Sequence, residues 1–441
     1  MAERSIGVCL VGCGIVGGGV ANLLLDYGDM LTARTGLRFE LRHVVVKGRE
    51  DYPPNAERLP MSTDALKAIQ DPKTDVIIEL VGGTGVAGTF REAALKLGKP
   101  VVTANKSLLA LKGPELFKLA RETNTCIAFE ASCGGGIPIV DALLRGLVAN
   151  RVDALLGIVN GTCNFILSQM TQKGWSYDQA LKEAQNQGFA EANPTLDVSG
   201  RDTAQKLAIM ASLAFNARVA ESDIQVEGID SLQAADINFA KELGYVIKLL
   251  AIAQRSDGAE DRISLRVHPT LVHAEDPLAE VSGSFNAISV FGHYLGHALW
   301  YGRGAGRTPT ASAVVSDLVS VAMGSAQLVF KHLRSLPDVT PPAKVLPFAD
   351  LRSRYYLRLT CKDEPGVLAQ ITTALGRQGI SLSAILQHET HGEFVPVVIT
   401  THQAVEGSVQ KALAEIDKLP TIGAPTVCLR IADQPKEFNG K

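Results

Sequence analysis

The stretch SIGVCLVGCGIVGGGVANLLL, residues 5–25, decides how the chain begins to fold. Ile6, Val8, Leu10 and Val11 lie in an apolar run that reads as a buried strand, and Gly12-Cys13-Gly14-Ile15-Val16-Gly17 follows at the head of a helix. Gly12 permits a tight turn, Gly14 lets the backbone approach a pyrophosphate, and Gly17 lets helix and strand pack closely. The helix N-terminus, with Ile15 and Val16 in its first turn, meets the anion's charge, so this segment predicts a dinucleotide site. A glycine-rich turn without a ligand is the alternative. Outward from here, strand-like runs over 39–46, 76–81 and 101–103 alternate with helical patterns over about 15–31, 65–69 and 90–97. That rhythm is α/β: a parallel sheet with helices on both faces, a Rossmann-type domain.

With 441 residues, the chain exceeds one ordinary core and suggests roughly three domains. Hydrophobic residues at 46% and charged residues at 20% exclude general disorder and coiled coil. With 43 basic against 46 acidic residues there is no cationic excess to neutralise phosphates, so nucleic acid is not an expected partner. Seven scattered cysteines without a C-x-x-C pair fit a reducing cytoplasm rather than a disulfide framework or a zinc site. The uncharged run 6–25 superficially resembles a signal peptide or membrane span, but its glycines and Asn22 dilute it too far, and no membrane association is expected.

From about 130 to 300 helical periodicity dominates, interspersed with strands over 151–159 and 263–267, which predicts an α+β domain for substrate and dimerisation. Pro337, Pro341, Pro342 and Pro347 crowd an aperiodic stretch, 334–354, that reads as a semi-rigid linker. Beyond it a strand precedes a helix carrying Val367, Ile371 and Leu375, stopped by Gly376 and Gly379. Strands over 380–388 and 394–401, a helix with Val409, Leu413 and Ile416 inward, and a strand over 426–431 complete a βαββαβ order, the ferredoxin-like motif, over 355–441.

After the second strand a NAD-selective site usually places an acidic residue against the ribose; here Lys47 and Arg49 stand instead. They would attract a 2′-phosphate, which favours NADP with NAD as the other possibility; exposed surface cations are the plain alternative. No tyrosine has a lysine four positions later, so the tyrosine–lysine pair of short-chain reductases is missing. His293 and His297 read as a helix-face or loop pair rather than a metal site. The stretch AQNQGFAEANPTLDVSGRDTAQK, residues 184–206, is densest in chemistry. Ser199 and Asp202 suggest a capping box starting a helix near Gly200, which would put Asp202, Lys206, Ile209, Met210 and Leu213 on one face. A lysine on an apolar face, with an aspartate one turn before it, suits general acid–base work, or else forms a buried pair that only positions the helix.

This stretch follows A-x3-G-F-A-x2-N-P-x2-D-V-x-G-x-D-x3-K, and together with Gly12 to Gly17 and Val102-Thr103-Ala104-Asn105-Lys106 it resembles the homoserine dehydrogenases over nearly the whole chain. The resemblance implies reversible hydride transfer between NAD(P)H and L-aspartate 4-semialdehyde, giving L-homoserine for threonine, methionine and isoleucine synthesis. It implies Lys206 as proton donor and Lys106 as its assistant near nicotinamide and substrate. Glu191 and Asp202 would hold the substrate's ammonium end, with Asp197, Gly161 and Thr162 also at the substrate. Glu130 and the carbonyls of Cys133, Gly135 and Ile137 resemble the family's monovalent-cation loop, where oxygen-only ligation suits sodium; a glycine-rich turn is the alternative. Gly302-Arg303-Gly304-Ala305-Gly306 resembles the stretch that returns the chain to the cofactor, with Gly304 in contact. The cofactor domain is therefore expected over 1–130 plus about 305–330, and the substrate domain over 131–304.

Asp363-Glu364-Pro365-Gly366 resembles the opening of an ACT domain, in which Asp363 would meet an effector's ammonium group and the amides after Gly366 its carboxylate. The implied effector is threonine, and a ligand-free dimerisation module is the alternative. Such modules usually pair edge to edge, so a homodimer or homotetramer is expected. Cys163 stands where the family usually shows threonine, which keeps open a cysteine-dependent semialdehyde dehydrogenase. A nucleotide-binding amino-acid sensor without catalysis is the remaining reading; it has no use for the Asp202–Lys206 pair.

Overall fold

The computed structural model describes residues 4–53, 55–256, 261–389 and 392–433. The tail of the expected C-terminal domain, 434–441, and residues 1–3 lie outside them. Two compact units result: Met1–Leu155 with Thr203–Ile224 and Phe285–Ala343, and Leu156–Asp202 with Gln225–Ser284 and Lys344–Lys441.

The first unit is built on a six-stranded sheet. Its order is Met61–Ser62, Leu37–Val45, Arg4–Val11, Val76–Glu79, Val101–Thr103 and Ile127–Ala128, every pair parallel. The order reverses at Arg4–Val11, which opens a crevice at the carboxyl ends of that strand and Val76–Glu79. Val8, Cys9, Leu10, Ile77, Ile78, Val101 and Val102 are fully buried, as a sheet covered on both faces demands. The first helical pattern divides at Tyr27 into Ile15–Asp26 and Gly28–Thr35. Arg307–Ala322 returns against Ile15–Asp26, where Gly19 leaves room for the Arg307 backbone. Among the described residues no single helix is long and apolar enough to cross a membrane; Arg307–Ala322 and Ser325–His332 reach that length only as a pair bent by 80°.

The second unit holds more strand than the helical reading of 130–300 suggests. Tyr245–Arg255 and Ile263–His273 form an antiparallel pair over eleven residues each, with Ile263 to Val272 buried throughout. Both faces are covered, so no alternation marks the strands, and an apolar run of this kind has the composition of a buried helix. The segment after the proline-rich stretch folds as expected into βαββαβ, with helices Val367–Arg377 and Glu406–Ile416. Its sheet order is Ile422–Ile431, Arg352–Lys362, Phe394–Thr401, Leu382–Gln387, around a core of Leu357, Ile371, Leu375, Ile399 and Val409. It does not stand apart as a unit of its own, because Arg430 and Ile431 pair with Thr270 and Leu271 of the preceding strands.

The proline-rich stretch is pinned rather than free. Arg218 N donates to Pro341 O at 2.7 Å, Ala343 N to Arg218 O at 2.9 Å, and the exchange repeats between Ile263, Lys344 and Leu346. Prolines hold the segment extended while its remaining amides and carbonyls find fixed partners. His293 and His297 lie around the turn of the hairpin Phe285–Gly292 and Gly296–Arg303, not on a helix, since Gly296 at φ +71° closes the turn. His293 accepts from Arg151 N at 2.9 Å, and His297 stacks on Phe291.

Candidate active site

Residue by residue, the glycine turn matches its sequence logic. Gly12 adopts φ +97°, and a Cβ there would meet the Leu80 carbonyl carbon at 2.9 Å; a Cβ on Gly17 would strike Gly12 O at 2.0 Å. Around Gly14 there is open space, and Gly14 and Ile15 are exposed at the start of Ile15–Asp26. A cavity of about 570 Å³ opens there, lined by Gly12, Gly14, Val46, Lys47, Asp51 and Val81 among others. Lys47 therefore faces it together with an acidic neighbour. Arg49 is exposed in the adjacent turn Arg49–Asp51 and is not part of the lining, and Val16 is half-buried. An open face over Gly14 beside a cavity of this size fits a dinucleotide.

The third side of the crevice is set by a buried network absent from the sequence expectations. Glu79, at the end of its strand, and Arg91 are both fully buried and paired, with Arg91 Nε to Glu79 Oε2 at 2.9 Å. Glu79 also accepts from Val81 N at 2.7 Å and from Thr103 Oγ1 at 3.1 Å. Thr103 Oγ1 then accepts from Asn105 N at 3.0 Å, and Asn105 Nδ2 donates to Gly83 O at 2.7 Å. Asn105 Oδ1 caps the helix Lys106–Glu122 through Leu108 N at 3.1 Å. Burial pulls the Arg91 guanidinium below its ordinary value while Glu79 opposes this. The outcome is a fixed place for Lys106, the first helical residue, at the positive end of the helix dipole where a cation earns no stability.

Lys206 lies half-buried in Arg201–Phe215. Ser107 Oγ donates to Gln205 Oε1 at 2.9 Å, so the immediate neighbours of the two lysines are hydrogen-bonded to each other. The helix does not begin with the expected capping box. Ser199 Oγ has no hydrogen-bond partner, and Ser199 instead ends the short helix Thr195–Val198. Gly200 turns the chain at φ +81°, where Val226 and Val267 crowd the space a Cβ would need.

In the second unit Asn160 gathers the acidic residues of the signature. Its Nδ2 donates to Asp197 Oδ1 and to Asp202 Oδ2, both at 2.8 Å, while its Oδ1 caps Gly161–Lys173 through Cys163 N. Asp202 is buried and Asp197 half-buried. Gly161 sits where a Cβ would meet Ser284 O at 2.8 Å, and Thr162 Oγ1 donates to Phe189 O at 2.6 Å. Glu191 is exposed. Cys163 is fully buried with Sγ directed at Asp197 O, 3.3 Å away, which leaves no approach for an aldehyde. Asn160 had a legible signal, a helix-capping residue directly before the helix, but its bridge between the aspartates depends on tertiary contact.

In 130–138, Glu130 is buried and accepts from Val140 N and Asp141 N, each at 2.8 Å, and its own N donates to Asp317 Oδ2. Burial pushes the Glu130 carboxyl up to about 7, against the pull of these amides, and pushes Asp317 up to about 8. Gly135 packs directly on Gly304, whose carbonyl oxygen is 2.4 Å from where a Cβ would stand, and Gly136 N donates to Arg303 O. Cys133 is fully buried; Ile137 N returns to Gly134 O. The donor set that the resemblance implies, a carboxylate and backbone carbonyls, is all oxygen and would suit a hard monovalent ion, although both Glu130 oxygens here accept from backbone amides. Among the described residues no cluster of three or more His, Cys, Asp or Glu side chains could hold a metal. Asp363 and Gly366 are exposed at the turn before Val367–Arg377, with Gly366 at φ +93° and Asp363 Oδ1 accepting from Gln387 at 3.3 Å.

Known proteins resemble this chain over nearly its whole length. The family described as homoserine dehydrogenase matches residues 138–319, its NAD-binding domain 12–130, and the ACT domain 355–420. A homoserine dehydrogenase of Pseudomonas aeruginosa is 42% identical, covering 98% of this chain and 99% of its own. The crystal structure of a homoserine dehydrogenase from Thiobacillus denitrificans is 41% identical with a TM-score of 0.92, covering 98% and 99% of the two chains. That of Staphylococcus aureus is 29% identical, with a TM-score of 0.75 over 98% and 99%.

Proposed function

Because the chain belongs to the homoserine dehydrogenase family, a nicotinamide-dependent oxidoreductase that interconverts L-aspartate 4-semialdehyde and L-homoserine, we propose that Lys206 is its proton donor and Lys106 its assistant. The observation that carries this reading is the Ser107–Gln205 hydrogen bond, which ties the helices bearing the two lysines together beside each lysine. The reduced dinucleotide, when bound, supplies the hydride. Hydride arrival leaves an alkoxide, which a protonated Lys206 stabilises and then protonates. Lys106, held by the Asn105 cap, adds positive charge beside the same oxygen. Asp202, oriented by Asn160, and Glu191 take the substrate's ammonium group, with Asp197, Gly161 and Thr162 shaping that end.

Lys47 on the cavity lining supports NADP over NAD. The all-oxygen donor set of Glu130, Cys133, Gly135 and Ile137 supports a sodium-like ion, whose chemistry when bound is charge compensation for buried carboxylates. The turn at Asp363 and Gly366 supports an amino-acid effector, threonine, and the exposed edge strand Leu382–Gln387 supports edge-to-edge assembly into a homodimer or homotetramer. The test is NADPH oxidation with aspartate semialdehyde. Lys206→Ala is expected to lower kcat by about 10²- to 10⁴-fold while NADPH binding, followed by fluorescence, is retained. Turnover retained in that variant would move the donor role elsewhere.

A further inference from the structure

A second cavity in the first unit, of about 290 Å³, lies away from the glycine turn. Its apolar walls include Leu109 and Phe117 from Lys106–Glu122, and Ile209 and Leu213 from Arg201–Phe215. Ligand pockets span roughly 300–1,000 Å³, so this one is too small for a dinucleotide and sized for a single small metabolite. The pinned proline segment closes another side through Pro337 and Pro342.

Its charged lining residues are Arg218, Glu115 and Asp223. Arg218 is exposed, and its backbone is fixed by two hydrogen bonds to the proline segment, yet among the described residues its guanidinium makes no ion pair or side-chain hydrogen bond. A free guanidinium matches a carboxylate, two carboxylates match an ammonium group, and the apolar walls match a hydrocarbon side chain. We propose that this cavity binds an α-amino acid with an apolar side chain, and that its occupancy is felt at Lys106 and Lys206. The route is short. Leu109 and Ile209 each stand three residues beyond a lysine, on the same helical face as it. Lys106–Glu122 is broken at Lys112, with φ −128° and Pro114 close behind, so its first two turns are a short element set between the Ser107–Gln205 bond and the cavity. A ligand filling the space fixes the separation of the two helices there.

The probe is L-leucine, titrated calorimetrically into the full-length native protein, with N-acetyl-L-leucine and leucinamide as controls that lack the ammonium and carboxylate charges. Binding of L-leucine, weaker by about tenfold or more in Arg218→Gln and in both controls, and abolished when Ala220→Trp fills the lining, is the expected result. Ala220 and Arg218 are surface-exposed and outside the proposed catalytic groups, and Asp363→Ala must leave this binding unchanged, which separates it from the C-terminal effector turn. Saturating L-leucine is also expected to change kcat of the native protein and not of Ala220→Trp. No heat of binding, or binding indifferent to Arg218→Gln and Ala220→Trp, overturns the site; binding without any change in kcat overturns the coupling. Because binding is read without turnover, its outcome is independent of the role given to Lys206.

Discussion

At Lys248 a single ammonium group makes stability depend on pH. The residue is 3% exposed in Tyr245–Arg255, and its Nζ donates to Val281 O at 2.6 Å. Burial pushes it down to about 8 from an ordinary 10.5, with Glu280 opposing. The folded state therefore loses this proton first, and between those values the unfolded chain binds more protons, so stability rises with pH across the window. Below it the full penalty stands, about 3 kcal/mol on linkage arithmetic. Lys248→Met removes the penalty and takes one of two donors from the Val281 carbonyl, which still accepts from Asn164 Nδ2 at 3.1 Å, a loss of about 0.5–1.5 kcal/mol. Urea unfolding is expected to show the variant at least as stable as the native protein near neutral pH, with its relative advantage shrinking as pH rises through the window. An advantage independent of pH would assign the effect to packing. Lys248 was not legible in the sequence: like Lys206 it is a lysine among apolar neighbours, but no motif marks it, and only the fold shows its ammonium held by a backbone carbonyl.

Elements were legible where breaker residues bound a short apolar run or a glycine forces the path. Val101–Thr103 and Phe394–Thr401 match the sequence reading residue for residue, and the turn at Gly12 follows from contacts only a glycine allows. Of the long pair, the start of Ile263–His273 was legible over 263–267, while its continuation and the whole of Tyr245–Arg255 escaped because burial on both faces erases the period of two. The Glu79–Arg91–Thr103 network escaped for another reason: it joins two strands and a helix through contacts without a local pattern. Its consequence is testable on the elements it joins. Glu79→Gln removes the counter-charge of a fully buried guanidinium, whose Nη1 already has no hydrogen-bond partner. A loss of about 3–5 kcal/mol is expected from urea unfolding. Glu79→Gln combined with Arg91→Met removes the stranded charge and should recover part of that loss. A double variant no better than the single would mean the network acts by shape rather than charge.

Across the second unit, buried ion pairs join the C-terminal βαββαβ segment to the elements that hold the signature aspartates. Arg358 Nε donates to Asp236 Oδ1 at 2.6 Å and its Nη2 to Gln233 at 3.0 Å, with Tyr356 also donating to Asp236. Arg430, paired with Glu406 of its own segment, also pairs with Glu227 outside it. Asp236 belongs to Ala234–Glu242, which packs against Gly161–Lys173, the helix capped by the Asn160 that bridges Asp197 and Asp202. A change in Arg352–Lys362, were the proposed effector to fill the turn at Asp363, would therefore have a continuous packed route to Asp197 and Asp202. Coupling of this kind is typically worth about 1–3 kcal/mol, or 5- to 150-fold in apparent affinity. Arg358→Met alone strands Asp236 and is expected to destabilise by about 3–5 kcal/mol, so the informative variant is Asp236→Leu with Arg358→Met, which leaves no charge unpaired. It is expected to turn over aspartate semialdehyde and bind threonine by calorimetry, yet respond to threonine at least about fivefold less than the native protein. An unchanged threonine response in that folded double variant would sink this route and shift the search to the Arg430–Glu227 pair and the strand pairing of Arg430 and Ile431 with Thr270 and Leu271.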